Sequence, residues 1–224
     1  MQSQLIVMLT HNDVTVENAL AVFDTCKDLP VNFWGFKDVG ISSEATRVLL
    51  NHMKRHGKTT FLEVVTFTEE ECLENAKLAV EFGFDYVTGG RHFPSVAEYL
   101  ADKPIKYFPF VGDVGGSPVA LTGTTEAILA DCDRLEAAGV HGLDLVAYRF
   151  TDGDPVELAK KVVAGAKTEV IIAGSIASTE RVSIMNEINP FAFTMGGALF
   201  DKKFVPEGDF RANLEYVVNY MNSL

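Results

Sequence analysis

The segment IIAGSIAS at residues 171–178, followed by FAFTMGGALF at 191–200, decides how the chain is read. Each runs from an apolar stretch into a glycine turn and on toward a helix, and one helix-length segment separates them. Glycine lets a backbone approach a ligand with no Cβ in the way. N–H groups exposed at such turns, beside a helix start, can hold a phosphate dianion. In (β/α)8 barrels the loops after strands 7 and 8 often form that site. The pair therefore points to a fold and a ligand class together, with Gly174, Ser175, Gly196 and Gly197 as the phosphate-binding positions. Ser178 has the character of an N-cap for the helix that follows.

Working outward, strand-like and helix-like segments alternate from end to end. Strands are expected at 5–11, 31–37, 59–65, 86–89, 105–111, 142–148, 169–173 and 191–195, with amphipathic helices between them. Val16, Leu20 and Phe23 make one apolar stripe, and Leu73, Ala76 and Val80 a second. Phe210, Leu214, Val217, Val218 and Met221 make the stripe of the last helix. AVEFGFDYVTGG (79–90) and RLEAAGVHGLDLV (134–146) repeat one form: helix, glycine stop, short turn, buried strand. Gly83 and Gly139 suit helix C-caps, which need a left-handed residue. No linker or composition shift divides the chain, so the expectation is a single α/β domain over residues 1–224, a (β/α)8 TIM barrel. An open doubly wound sheet would place its phosphate loop after the first strand. There the sequence is Thr10-His11-Asn12-Asp13, without glycine.

The composition narrows the partners. With 19 Lys plus Arg against 31 Asp plus Glu, the net charge is -12. An acidic surface repels nucleic acid and anionic lipid, so a phosphate must be held by local dipoles and a few cations. At 47% hydrophobic residues and a mean hydropathy of +0.12, with no bilayer-length apolar run, the expectation is a soluble cytoplasmic protein without membrane or nucleic-acid partners. Homo-oligomerisation stays open. Cys26, Cys72 and Cys132 form no CxxC pair and read as buried reduced thiols.

The two glycine segments resemble the ribulose-phosphate-binding barrel superfamily, which holds biosynthetic isomerases, pentose-phosphate epimerases and sugar-phosphate decarboxylases. The resemblance is carried by residues 169–204 and elsewhere by β/α rhythm. It implies a small phosphorylated substrate held by the backbone at Gly174, Ser175, Gly196 and Gly197. No single branch is matched. The metal-binding His and Asp set of the epimerases has no counterpart here. The Asp-x-Lys-x-x-Asp motif of the decarboxylases is replaced by Glu63 with no lysine in its strand. Where related aldolases carry a Schiff-base lysine on strand 6, this chain has Tyr148-Arg149.

Active groups in barrels sit at the C-terminal ends of strands. Glu63, inside FLEVV, is a carboxylate that an apolar strand tolerates only when paired. Lys37, ending the neighbouring strand, is its natural partner, as an acid–base pair or, with Lys37 as a Schiff-base amine, in lyase chemistry. A structural ion pair is the plainer alternative. Asp144, in GLDLVAYRF, is expected to point inward as a second acid or base, or to orient Lys37. Arg91 and Arg149 are expected to bind substrate carboxylate or phosphate, with rim salt bridges as the alternative. Asp13 reads best as a cap of the first helix. His11, Asp13 and His92 lack convincing metal spacing, so neither metal nor cofactor is expected. The glycine-rich stretch 113–125 is either a mobile lid or a surface loop. The leading expectation is an isomerase or epimerase of a phosphorylated sugar. A lyase (aldolase or decarboxylase) and a non-catalytic phosphometabolite sensor are the alternatives.

Overall fold

A computed structural model describes residues 2–224. Its eight barrel strands are β1 (Gln4–Met8), β2 (Phe33–Lys37), β3 (Thr59–Val64), β4 (Tyr86–Gly89), β5 (Lys106–Phe108), β6 (Gly142–Leu145), β7 (Glu169–Ile172) and β8 (Ala192–Met195). All pair in parallel in the order β6-β7-β8-β1-β2-β3-β4-β5. The first and last strands meet, with Leu5 opposite Phe193 and Val7 opposite Met195. The remaining seam, β5 to β6, is closed by single hydrogen bonds: His141 N–H to Tyr107 O, Asp144 N–H to Pro109 O and Val111 N–H to Asp144 O, each 3.0 Å. Pro109 has no N–H to give, which shortens the regular ladder here. The expected strand at 105–111 is regular only to Phe108 for that reason, and the one at 142–148 stops at Leu145, where residues 147–149 turn into a 3-10 helix.

Helices α1 (Ala19–Cys26), α2 (Ser43–Arg55), α3 (Glu69–Phe82), α4 (Pro94–Leu100), α5 (Thr125–Ala137), α6 (Pro155–Gly165), α7 (Thr179–Ile188), a short α8 (Gly197–Phe200) and α9 (Phe210–Ser223) surround the barrel. Their starts are written locally. Ser42, Thr68, Thr124, Asp154, Ser178 and Asp209 each accept a backbone N–H of the helix they precede, which satisfies donors that a helix cannot pair internally. Gly83 ends α3 in the left-handed conformation, φ 84°. The expected stripe through Leu20 is displaced: α1 begins only at Ala19 and buries Ala19, Phe23 and Cys26, leaving Leu20 exposed. Cys26, Cys72 and Cys132 are free and buried.

Strand periodicity of two separates two cores. Val7, Trp34, Phe36, Leu62, Val64, Leu143 and Leu145 face the helices. Ile6, Met8, Phe61, Tyr86, Phe108 and Ile171 fill the barrel. Phe33 and Phe191 join this second group, and Phe61 stacks on Tyr86 at 4.2 Å between ring centroids. The N-terminal end of the barrel is thus plugged with aromatic rings. The inward positions one step further along the strands are polar: Lys37 after Gly35, Glu63 after Phe61, Thr88 after Tyr86 and Asp144 after Gly142.

The ring of Phe108 occupies the space where a side chain at Gly142 would begin. Gly142→Ala is therefore expected to cost about 1–3 kcal/mol of stability by overpacking, read by denaturant unfolding. Adding Phe108→Leu should recover part of the loss. An unchanged midpoint for the single variant would contradict this account of the seam.

Candidate active site

At the C-terminal end of β1 the chain makes a two-residue hairpin, Thr10–His11 against Val14–Thr15. Its tip residues Asn12 and Asp13 both have positive φ, 52° and 61°. Such a turn favours Gly, Asn and Asp. Thr15 ties the hairpin to the end of β2. Its hydroxyl accepts from the Lys37 N–H and donates to the Lys37 carbonyl, both at 2.9 Å. This geometry carries Asp13 over the barrel mouth instead of to the start of α1, whose N-cap is Asn18. The capping role expected for Asp13 is thereby corrected.

Asp13 accepts from Lys37 Nζ at 2.9 Å and from both terminal nitrogens of Arg149, at 2.9 and 3.0 Å. Lys37 Nζ also lies 3.5 Å from Glu63 Oε1, since Lys37 and Glu63 stand directly opposite each other in the β2–β3 register. Lys37 is 4% exposed and Glu63 8%, so the pair is shielded from bulk water and its electrostatics are strong. Burial alone would depress the Lys37 pKa, but Glu63 and Asp13 outweigh it and hold it above the ordinary lysine value. Burial likewise opposes ionisation of Asp13, yet the hydrogen bonds from Arg149 and Lys37 lower its pKa to about 2. At neutral pH the centre is an ammonium between carboxylates, which disfavours Lys37 as a free amine nucleophile.

Asp144 sits on β6 at 1% exposure, and its Oδ1 has no hydrogen-bond partner among the described residues. Burial first, and the Glu63 charge second, push its pKa well above that of an ordinary carboxylate. Asp38, next to Lys37, turns away from the centre. It accepts from the Val65 N–H at 3.1 Å and from Asn75 Nδ2 at 2.8 Å, which fixes the end of β3. Burial raises its pKa to about 6.

One cavity of about 500 Å³ is lined by Asp13, Lys37, Glu63 and Arg149, and also by Gly174, Ser175, Gly196 and Gly197. Seven of the nine positions singled out in the sequence thus share one space. Asp144 lies outside the lining. Arg91 is elsewhere: it pairs with Asp113 at 3.2 Å, donates to Val114 O at 2.9 Å and lines a separate cavity with His92 and Arg134. Gly174 and Ser175 are consecutive left-handed residues, φ 83° and 54°. The N–H groups of Gly174, Ser175, Ile176, Ala177 and Gly197 have no partner among the described residues. Gly196 has a packing reason for its identity, because a Cβ there would lie 2.8 Å from the carbonyl oxygens of Met8 and Thr10. Gly197 faces open space at that position. Within the glycine-rich segment, expected as a mobile lid or a surface loop, the chain forms a short hairpin. Asp113–Gly115 pairs with Ala120–Thr122 in a hairpin, Ser117 and Pro118 at its tip line the cavity, and Arg149 donates to Val119 O at 3.3 Å.

Asp144 gives a pH signature. Its folded pKa lies above the unfolded value, so the folded state binds the extra proton, and this group's contribution to stability declines as pH rises from about 4. Asp144→Asn removes that dependence. Near pH 4 the variant and parent are expected to unfold alike. Toward pH 8 the variant should become the more stable, by up to about 1.4 kcal/mol per pH unit until the folded pKa is passed. Parallel curves across that range would rule out a buried neutral Asp144.

No family model and no curated protein matches the chain. Solved structures do. Orotidine 5'-phosphate decarboxylase from Pyrococcus horikoshii superposes with a TM-score of 0.71 at 11% identity, over 99% of this chain and 100% of the other. Thiamine phosphate pyrophosphorylase from Pyrococcus furiosus gives 0.69 at 13%, over 98% and 96%. A 4-hydroxy-2-oxoglutarate/2-dehydro-3-deoxyphosphogluconate aldolase gives 0.66 at 16%, over 99% and 94%. What these similarities establish is the fold: the chain is a (β/α)8 barrel, as the glycine turns after its seventh and eighth strands imply.

Proposed function

We propose that this protein is an enzyme acting on a small phosphorylated, carbonyl-bearing metabolite by proton transfer beside the carbonyl. The observation that carries the reading is the buried Lys37 ammonium, held between Asp13 and Glu63 in the same cavity as the two glycine turns. A proton taken from carbon next to a carbonyl leaves negative charge on the oxygen. A preorganised ammonium in a dry site stabilises that charge, and Glu63 is placed to act as the base. Free N–H groups at Gly174–Ala177 and Gly197 are suited to a phosphate, with Ser175 as an added hydroxyl donor and Arg149 beside them. Returning the proton to carbon gives an isomerase or epimerase.

A lyase is the second reading, and the fold shared with an aldolase and a decarboxylase favours it. Cleavage of a C–C bond leaves the same oxyanion for Lys37 to stabilise. With Lys37 kept as an ammonium by its carboxylates, that branch runs without a Schiff base, and borohydride in the presence of substrate should leave Lys37 unmodified.

The test incubates a panel of triose to hexose phosphates with the protein in deuterated water and follows the carbon next to the carbonyl by NMR. Deuterium uptake or turnover is expected for at least one compound, reduced by about 10²–10⁴-fold in Glu63→Gln. Phosphate affinity should stay within a few-fold in that variant, since the anchor is separate. Binding without exchange or turnover across the panel would leave a sensor and defeat the enzyme reading. Gly197→Asp places a carboxylate at the open turn position. It is expected to keep the melting temperature and to weaken inorganic phosphate binding by about tenfold or more, at roughly 1.4 kcal/mol per decade. Unchanged affinity would exclude this turn as the phosphate anchor.

A further inference from the structure

His11 has a contact that the proton-transfer scheme does not use. Its Nε2 lies 2.9 Å from Asp201 Oδ1, and its ring lies 5.6 Å from that of Phe200. Both His11 and Asp201 line the cavity. Asp201 closes α8, with its N–H on the Gly197 carbonyl at 2.8 Å, and Gly196 packs against the carbonyl of Thr10, the residue before His11. The dyad therefore stands at the rim of the second glycine turn. An ionised carboxylate only accepts, so Nε2 carries the hydrogen. Nδ1 is left without a partner among the described residues, on a ring that faces the cavity.

The turns supply N–H groups but no full positive charge. Arg149 is engaged by both oxygens of Asp13 and by Val119 O. In a chain of net charge -12, the cations near this rim are Arg149, held by Asp13, and Arg181, which donates to Ser175 O. Of the charged groups lining the cavity, Asp13, Lys37, Glu63 and Arg149 form one cluster, and Asp201 is the charged group that His11 touches.

We infer that His11, oriented by Asp201, is a phosphate ligand that takes up a proton as the phosphate binds. Nδ1 accepts one proton from solvent. The resulting imidazolium donates Nε2–H to Asp201 and Nδ1–H to a phosphate oxygen, and no other bond is made or broken. Neutral imidazole would turn a lone pair toward the anion, whereas the imidazolium adds a charge-assisted hydrogen bond. The inference rests on the phosphate reading of the cavity and adds to it a ligand and a proton stoichiometry.

Calorimetric titration with inorganic phosphate at pH 8, in two buffers of different ionisation enthalpy, measures the proton count directly. Net proton uptake on binding is expected for the parent protein, by linkage. His11→Gln keeps a donor toward Asp201 and cannot ionise. It should bind phosphate about tenfold more weakly with no proton uptake, and its melting temperature reports that it is folded. Asp201→Asn should lower both uptake and affinity, because the imidazolium loses its carboxylate. Phosphate binding by the parent without proton uptake, or equal uptake by His11→Gln, overturns the role of His11 while leaving the phosphate anchor standing. No phosphate binding by the parent removes the anchor, and this inference with it.

Discussion

The arrangement at the barrel mouth depends on one carboxylate. Asp13 sits at the tip of a two-residue turn with left-handed backbone and holds a lysine from β2 and an arginine that follows β6. Removing it would leave Arg149 without its carboxylate and the buried Lys37 with only the longer contact to Glu63. A buried charge that loses its partner is strongly destabilising. The same tie fixes which face of Arg149 meets the cavity and keeps its stem against Gly174, where a Cβ would lie 3.0 Å from Arg149 Cγ. The cation centre and the first glycine turn are thus positioned together.

Charge is balanced locally at this centre. Asp13 and Glu63 face Lys37 and Arg149, while burial disfavours ionisation of Asp144. Desolvation makes this the economical solution: a third ionised carboxylate at 1% exposure would have neither water nor a cation of its own. Burial thus favours the protonated form of an acid deep in the barrel, outside the cavity lining.

The barrel itself was legible in the glycine turns and the β/α rhythm, because both are local signals. Lys37 and Glu63 were legible because parallel neighbours in register bring equivalent inward positions side by side. Asp13 was misread. Asn12-Asp13 is turn chemistry of the kind that tolerates positive φ, but without a glycine it read as the approach to a helix. Arg91 was placed at the right end of a strand and still faces another cavity, since the loop after β4 turns it toward Asp113. The contact between His11 and Asp201 spans 190 positions, and no local pattern announces it. The hairpin at 113–122 was hidden by its short strands, whose three residues each carry too little periodicity to register.

The aromatic packing that closes the N-terminal end of the barrel has a kinetic meaning. With Phe33, Phe61, Tyr86, Phe108 and Phe191 filling the floor, the barrel offers no passage through its N-terminal end to the cavity lined by Lys37, Arg149, His11 and the glycine turns. Whatever reaches the ammonium enters and leaves at the C-terminal end. For a molecule anchored by its phosphate at the rim, the reacting end goes in first and comes out last. A reaction that splits such a molecule would then have an imposed order of departure, with the inner fragment confined until the rim is clear.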